Sequence, residues 1–163
     1  MIFVTAGATT YPFDRLIKKM DEISATSDEK IVMQIGVTTY EPKNTEWFRF
    51  ETEERMNYLY DTCSLIVCHG GAGTMLNAFS RGKMLVMVPR KKKFNEAVDD
   101  HQMDLTKKVA DAGKGLWVDD IDDLPGVLEK ARNVLPASSR ADSSLETYLS
   151  NLFERMSEKK SKK

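Results

Sequence analysis

The chain has 163 residues, a formal net charge of −1, 41% hydrophobic residues and 30% charged residues. This profile is typical of a soluble globular protein with one domain, and the near-neutral charge argues against general nucleic-acid binding. No apolar run approaches the about 20 residues of a membrane-spanning helix, and the first residues lack the pattern of a secretion signal, so we expect neither.

Short apolar segments alternate with helical patterns along most of the chain. Strand patterns occupy Ile2–Ala6, Ile31–Ile35, Trp47–Phe50, Leu65–Cys68, Met84–Val88 and Gly115–Val118. Apolar residues at helical spacing predict helices over residues 13–23, 53–62, 74–80, 99–112 and 122–133. This alternation predicts an α/β fold, with a mainly parallel, Rossmann-like sheet covered by helices on both faces.

The fourth predicted strand runs straight into a glycine cluster, His69-Gly70-Gly71-Ala72-Gly73-Thr74, and a helical segment follows. Glycine lets the backbone approach a ligand closely, and the first N–H groups of a helix have no partner inside it. The helix dipole adds about half a positive charge at that end, so the pattern favours a bound phosphate. No Gly-Lys-Ser/Thr follows, which excludes a Walker loop, and the third glycine of a dinucleotide fingerprint is missing. A plain strand-to-helix turn is the alternative.

Three other loops follow predicted strands, at residues 7–10, 36–39 and 89–101. The carboxyl ends of parallel strands lie at one edge of the sheet, where ligands of such sheets bind. We therefore expect four loops to converge on one site.

Several motifs follow the glycine cluster in order: Gly82-Lys83-Met84-Leu85-Val86-Met87-Val88-Pro89-Arg90, then Asn95-Glu96, then Asp99-Asp100-His101-Gln102. Before the cluster stand Phe3-Val4-Thr5-Ala6-Gly7-Ala8, Phe13-Asp14-Arg15-Leu16-Ile17, Gln34-Ile35-Gly36 and Tyr40-Glu41-Pro42. Together they resemble the C-terminal, nucleotide-sugar-binding domain of glycosyltransferase family 28, and in particular its split-subunit branch. That branch includes the catalytic subunit of a dolichol-linked N-acetylglucosaminyltransferase and bacterial exopolysaccharide glycosyltransferase subunits. The resemblance implies the C-terminal half of the GT-B architecture, in which two Rossmann-like domains face each other across a cleft.

The resemblance implies a UDP-sugar donor whose diphosphate is held by backbone N–H groups of the glycine cluster. Those groups belong to Gly70, Gly71, Ala72, Gly73 and Thr74, with the Thr74 hydroxyl beside them. His69 is implied to contact a phosphate or to order the loop, and it is the one candidate for a catalytic side chain. A purely structural hydrogen bond is the alternative for His69.

Further donor-binding residues are implied on the surrounding loops: Gly7, Thr9, Asn77, Arg90, Asn95, Glu96, His101 and Gln102. Arg90 would neutralise diphosphate charge, and His101 and Gln102 would meet the sugar or its phosphates, while Asp99 or Asp100 caps their helix. Asn77 stands where the family places an acid for the ribose hydroxyls, and an asparagine offers no charge-assisted pair. Turn formation or capping alone is the alternative for these loop residues.

No general base for sugar transfer is evident in the sequence, and no Asp-x-Asp motif presents itself as a diphosphate–metal clamp. Asp119-Asp120 and Asp122-Asp123 lie beyond the predicted last strand and are predicted to be helix-capping residues. Cys63, Cys68 and the two histidines have no zinc-ligand spacing, so we expect no metal and no cofactor. The two cysteines are predicted to be buried thiols in a reducing cytosol.

The leading hypothesis is a donor-binding catalytic subunit of an inverting UDP-sugar glycosyltransferase that transfers N-acetylglucosamine or a related hexose. By the resemblance, it acts on a lipid-linked sugar acceptor at the cytoplasmic membrane face, together with a membrane-anchored, acceptor-binding subunit that supplies the base. The alternatives are a non-catalytic nucleotide-sugar-binding module and a self-sufficient homodimeric transferase.

Residues 1–135 are predicted to form the nucleotide-sugar-binding domain, and residues 136–163 a separate C-terminal element. Apolar residues of that element mark one helical face: Leu145, Tyr148, Leu149, Leu152, Phe153 and Met156. A basic tail with four lysines over residues 159–163 follows. The helix is predicted either to dock onto a partner subunit or to pack on its own domain.

Overall fold

The computed structural model of the protein describes residues 1–133. Its strands are β1 (Ile2–Thr5), β2 (Ile31–Gln34), β3 (Glu46–Phe48), β4 (Leu65–Cys68), β5 (Met84–Met87) and β6 (Leu116–Trp117). All pair in parallel, and they form one sheet of order β3-β2-β1-β4-β5-β6. The predicted parallel α/β sheet is confirmed, whereas the predicted C-terminal helix and basic tail lie outside the described residues.

Helices cover both faces of this sheet, as the alternation predicted. On one face lie α1 (Asp14–Ser24) and α5 (Leu124–Asn133), and on the other lie α2 (Glu53–Thr62), α3 (Ala72–Ser80) and α4 (His101–Asp111). None of the helices in the described part of the chain has both the length and the apolar character needed to cross a bilayer.

The central strands are buried throughout, which explains why they read as continuous apolar runs rather than as alternating ones. Ile2 and Val4 point into the core beneath α1 and α5, and Phe3 points into the core on the other face. Cys63 and Cys68 are both free and buried, as predicted.

The helices α3 and α4 begin at other residues than the sequence predicts. The helix α3 begins at Ala72 rather than Thr74, so the end of the glycine cluster belongs to its first turn. The helix α4 begins at His101, and Asp100 at its N-cap makes no side-chain capping bond. Instead, the Asp100 carboxylate accepts the backbone N–H of Lys92 at 2.9 Å, because a 3₁₀ turn over Lys92–Phe94 brings that N–H within reach. Asp100 therefore does not fill the capping role that the sequence analysis gave to Asp99 or Asp100.

The last predicted helix also begins later than expected. Residues Ile121–Asp123 form a 3₁₀ turn, and α5 starts after it at Leu124. The Asp120 side chain accepts the Asp122 N–H at the start of this turn, which confirms the capping role predicted for the acidic residues beyond the last strand.

Candidate functional site

The loops after β1 and β2 are tied together at the carboxyl edge of the sheet. The Gly7 N–H donates to Gln34 Oε1, and Gln34 Nε2 donates to the Gly7 carbonyl, each at 3.1 Å. Gly36 has a φ of 55°, and a Cβ there would lie 2.7 Å from the Gly7 carbonyl oxygen. Only glycine fits both the conformation and the close approach at this position. The structure thus fixes the Gly7 loop in one place beside the end of β4.

The glycine loop after β4 presents three backbone N–H groups to open space. Gly71 is the N-cap of α3, no side chain caps the helix, and its first intrahelical bond runs from the Met75 N–H to the Gly71 carbonyl. The N–H groups of Ala72, Gly73 and Thr74 meet no acceptor within the described part of the chain. A Cβ on Gly73 would contact nothing within 4 Å, so this side of the loop is open. Such a helix start attracts an anion.

His69 lies beneath this loop, between two glycines. Its side chain is buried, with 6% exposed. A Cβ on Gly7 would lie 2.8 Å from His69 Nε2, and a Cβ on Gly71 would lie 2.9 Å from His69 Cε1. On the far side of the ring, Nδ1 faces the Thr5 carbonyl oxygen at 3.5 Å. The imidazole therefore fills the space that two missing side chains leave and sets the distance between the two loops.

Burial and the neighbouring Arg90 guanidinium lower the pKa of His69 to about 4. The imidazole is consequently neutral at physiological pH. A general base works best when its pKa lies near the operating pH, so His69 is poorly suited to deprotonate an acceptor hydroxyl. Its geometry fits the loop-ordering role that the sequence analysis offered beside the catalytic one.

Gly70 faces α4 rather than the open side of the loop. Its φ is 79°, and a Cβ there would collide with the Thr106 side chain. The Gly70 N–H is directed at the Cys68 sulfur at 3.4 Å. Gly70 therefore permits close packing of the loop on α4, and its own N–H is not among the open groups.

Arg90 is an interior residue, 2% exposed, and not a surface cation beside the glycine loop. Its Nη2 donates to the Ala6 carbonyl at 2.7 Å, and its Nη1 donates to the carbonyls of Tyr11, Pro12 and Glu96 at 2.9 to 3.1 Å. Burial lowers its pKa to about 10, so the guanidinium remains charged at neutral pH. Sequence analysis assigned Arg90 to a diphosphate, whereas the structure surrounds it with backbone carbonyls. In this position it joins the loop after β5 to the loop after β1.

Glu96 is also an interior residue and completes the same junction. Its carboxylate pairs with Arg15 through two bonds of 2.9 and 2.8 Å, and it accepts the Lys91 N–H at 3.0 Å. The Lys91 ammonium donates to the Asp119 carbonyl at 2.7 Å and is buried. Asn95 is exposed with a φ of 57° and ends the preceding 3₁₀ turn.

Two further predicted donor-binding side chains are engaged locally. The Thr9 hydroxyl accepts the Tyr11 N–H at 3.2 Å, which closes a turn. Asn77 Nδ2 donates to the Gly73 carbonyl at 3.0 Å, and Asn77 Oδ1 accepts from Arg81 Nη1 at 2.8 Å. A ribose hydroxyl would therefore compete with Arg81 for the Asn77 oxygen.

The remaining predicted residues lie where α3 and α4 begin. The Thr74 hydroxyl shares a hydrogen bond with Tyr60, and this bond opposes the rise that burial gives the pKa of Tyr60. Gln102 lies in the first turn of α4, and its Oε1 is buried without a hydrogen-bond partner in the described structure. His101 is the first residue of α4. The described side chains place no three potential metal ligands together.

Gln34 is a site-shaping residue that the sequence analysis missed. It is 4% exposed, and its amide group bonds the Thr5 hydroxyl, both backbone groups of Gly7 and the Arg49 carbonyl. The available signal was a polar residue at the end of an otherwise apolar, buried strand.

The sequence profile of the glycosyltransferase family 28 C-terminal domain matches residues 1–158 of the chain. The chain belongs to this family. The human UDP-N-acetylglucosamine transferase subunit ALG13 is 31% identical over 123 residues, which are 69% of this chain and 10% of that protein. The mouse ALG13 subunit is 30% identical over 122 residues, again 10% of its length. The chain thus spans a small part of the curated relatives that it matches.

Solved structures of glycosyltransferases share the fold of this family 28 domain. An NMR structure of ALG13 has a TM-score of 0.62 at 16% identity, covering 91% of this chain and 94% of that one. Acinetobacter baumannii MurG has a TM-score of 0.57 at 22% identity, covering 79% of this chain and 40% of MurG. The calicheamicin glycosyltransferase CalG4 has a TM-score of 0.60 at 22% identity, covering 91% of this chain and 36% of CalG4. The predicted correspondence to one half of a GT-B enzyme is confirmed at the level of the fold.

Proposed function

We propose that this chain is the donor-binding, catalytic subunit of an inverting UDP-sugar glycosyltransferase. The observation that carries the proposal is the open row of N–H groups at Ala72, Gly73 and Thr74, at the carboxyl edge of a family 28 domain. Three N–H donors and the positive end of a helix dipole suit a diphosphate in both charge and geometry.

The same groups have a role in the transfer step. As the bond between sugar and diphosphate breaks, negative charge grows on the departing UDP. Fixed N–H donors that already point at this charge stabilise the transition state without reorganising. Arg90 and Glu96 act indirectly, because they hold the neighbouring loops in place from the interior. Asn95 and Gln102, with His101, are the proposed contacts to the sugar.

We propose N-acetylglucosamine or a related hexose as the sugar, since the curated relatives are named as UDP-N-acetylglucosamine transferase subunits. The acceptor half is proposed to be a separate, membrane-anchored subunit that binds a lipid-linked sugar and holds this chain at the membrane. This division is supported by the names of the curated relatives, which describe them as transferase subunits. It also provides a source for the general base, for which neutral His69 is poorly suited.

One observation favours a second candidate, a nucleotide-sugar-binding module without catalysis. The Asn77 side chain already bonds Gly73 and Arg81, so a ribose must displace a protein partner to be held there. Weak donor binding would fit a sensor as well as an enzyme.

Donor binding is tested by thermal unfolding of the full chain with UDP, UDP-N-acetylglucosamine, GDP and ADP. A ligand at 100 times its Kd adds about 2.7 kcal/mol of stability. For a chain of this size that raises Tm by about 5–10 °C. We expect the uridine ligands to give this shift and the purine nucleotides to give none. A shift with purines alone would overturn the uridine assignment.

The glycine loop is tested with Gly73→Val and a matched control, Gly126→Val. Both glycines lie in the first turn of a helix, and at both a Cβ would contact nothing within 4 Å. Both variants are therefore expected to fold. Gly73→Val should abolish the UDP-induced shift by covering the open N–H groups, whereas Gly126→Val should keep it. Equal UDP affinity in the two variants would remove the loop from the site.

Catalysis is tested by transfer of labelled sugar to a polyprenyl diphosphate sugar, with and without a co-expressed membrane subunit. Transfer only in the presence of that subunit is expected. UDP-sugar binding with no transfer in either case would favour the non-catalytic module, and transfer by the chain alone would favour a self-sufficient enzyme.

A further inference from the structure

Large apolar side chains are unevenly exposed on this protein. Seven are exposed in the described part of the chain, and all but Tyr58 lie in loops after strands or near the start of α3: Tyr11, Val37, Phe50, Leu76, Phe94 and Val98. Phe94 and Val98, at 49% and 66% exposed, belong to one loop after β5, residues 91–100, which we call the rim loop. Apolar surface collected at one edge of a domain marks an interaction site.

The rim loop is held rigidly although its tip is exposed. Buried Glu96 bonds Arg15 and the Lys91 N–H, and the Lys92 N–H bonds the Asp100 carboxylate at 2.9 Å, which closes the loop at its base. The αL residue Asn95 turns the chain sharply after Phe94. These bonds hold the loop in a conformation that keeps Phe94 and Val98 exposed.

Basic side chains flank the apolar tip. Lys92 and Lys93 are exposed, and the Lys93 ammonium lies 4.9 Å from the centre of the Phe94 ring. Among the side chains that the structure describes, neither ammonium has a carboxylate within ion-pair distance. Of the acidic residues of the loop, Glu96 is buried, and the Asp100 carboxylate accepts the Lys92 backbone N–H without pairing with either ammonium. Lysines beside a half-exposed aromatic ring combine charge attraction to anionic headgroups with apolar insertion.

We propose that the rim loop docks on an anionic membrane surface, with Phe94 and Val98 entering the headgroup region and Lys92 and Lys93 contacting lipid phosphates. This inference rests on the proposed function, because membrane docking matters for sugar transfer only if the glycine loop binds the donor. The rim loop and the glycine loop lie at the same edge of the sheet. Docking in this way would turn the donor site towards an acceptor that is held in the membrane. The inference also gives a use to Lys92 and Lys93, whose ammonium groups, unlike that of Lys91, pair with no carboxylate among the described side chains.

The test is depth-dependent fluorescence quenching on the full chain, with Phe94→Trp and a matched control, Tyr58→Trp. Tyr58 is similarly exposed, at 55%, but lies in α2. Vesicles of phosphatidylglycerol and phosphatidylcholine with brominated acyl chains quench a tryptophan only where it enters the bilayer. We expect quenching and a blue shift for Trp at position 94 and neither for Trp at position 58. The basic tail at residues 159–163 can attract vesicles by itself, but it cannot produce this difference.

Cosedimentation with unbrominated vesicles gives the second readout. Phe94→Ser with Val98→Ser should weaken binding by about tenfold, and Lys92→Gln with Lys93→Gln by about fivefold per lysine, whereas Tyr58→Ser should change nothing. Equal quenching at positions 94 and 58, or vesicle binding unchanged in the rim-loop variants, would overturn the inference and leave these residues to a protein partner. UDP binding, measured without vesicles, reports separately on the proposed function.

Discussion

The packing of His69 between two glycines makes a sharp prediction for Gly71→Ala. The backbone of Gly71, with φ of −73° and ψ of 140°, suits alanine, so the cost of the substitution comes from the collision of its Cβ with the His69 ring. The ring has little room to move aside, because Gly7 also lies against its Cε1 and Nε2 atoms and only 6% of the residue is exposed. Overpacking of this kind costs about 1–3 kcal/mol.

The collision disappears when the ring is removed, so the two sites must be coupled. His69→Ala alone should destabilise the protein, since it leaves a cavity beneath the glycine loop and removes the contact with the Thr5 carbonyl. Adding Gly71→Ala to His69→Ala should then cost nothing further. The double variant is expected to be more stable than the sum of the two single changes predicts, by about 1–3 kcal/mol.

Urea unfolding of the four proteins in this cycle measures the coupling. For a chain of this size, 1 kcal/mol corresponds to about 2–4 °C in Tm, so calorimetry gives an independent reading. Gly126→Ala is the control, because a Cβ there would contact nothing within 4 Å, and it should not destabilise the protein. Strictly additive costs of the two changes would refute the packing of His69 between the loops.

Three further predictions follow from the buried polar groups. Burial lowers the pKa of His69 from 6.5 to about 4. At pH values between these two, His69 is protonated in the unfolded chain and neutral in the folded chain. The free energy of unfolding should therefore fall by on the order of 3 kcal/mol as the pH drops from 7 to 4. His69→Gln should remove this contribution to the pH dependence of stability. An identical pH dependence in the variant would contradict the lowered pKa of His69. Glu96→Gln breaks the two-bond pair with Arg15, whose side chain is 15% exposed. The free energy of unfolding, measured with urea, should fall by about 3 kcal/mol. A decrease below about 1 kcal/mol would show that the pair is dispensable. Burial raises the pKa of Cys63 and raises that of Cys68 to about 12, so Ellman's reagent should label neither thiol until the protein unfolds, and rapid labelling of the native protein would refute their burial.

The strands β1, β2, β4 and β5 could be predicted from the sequence because each one is a short, mostly apolar run between polar turns. The edge strand β3 begins at an exposed glutamate and ends two residues earlier than predicted. The β4 segment Leu65–Cys68 and the α2 segment Glu53–Thr62 match the prediction at both ends. The position of the glycine cluster could be predicted as well, since a strand followed by glycines and a helix leaves N–H groups without partners.

The roles of Arg90 and Glu96 could not be predicted from motif order. Spacing places both at the carboxyl edge of the sheet, but it does not say whether a side chain points outwards or inwards. Arg90 turns inwards because the carbonyls of Ala6, Tyr11 and Pro12 meet there, and these lie about eighty residues earlier in the chain. Such a carbonyl cluster exists only in the folded protein and leaves no local pattern in the sequence.

The central claim is that a diphosphate binds the open N–H groups at the start of α3. Titration of the ¹⁵N-labelled full chain with UDP, followed by NMR, tests it most directly. The account predicts that the Ala72, Gly73 and Thr74 amide signals shift together and saturate with the thermal-shift affinity, while the Gly126 amide near the start of α5 does not move. Saturable UDP binding that leaves these three amides in place and perturbs another region would contradict it.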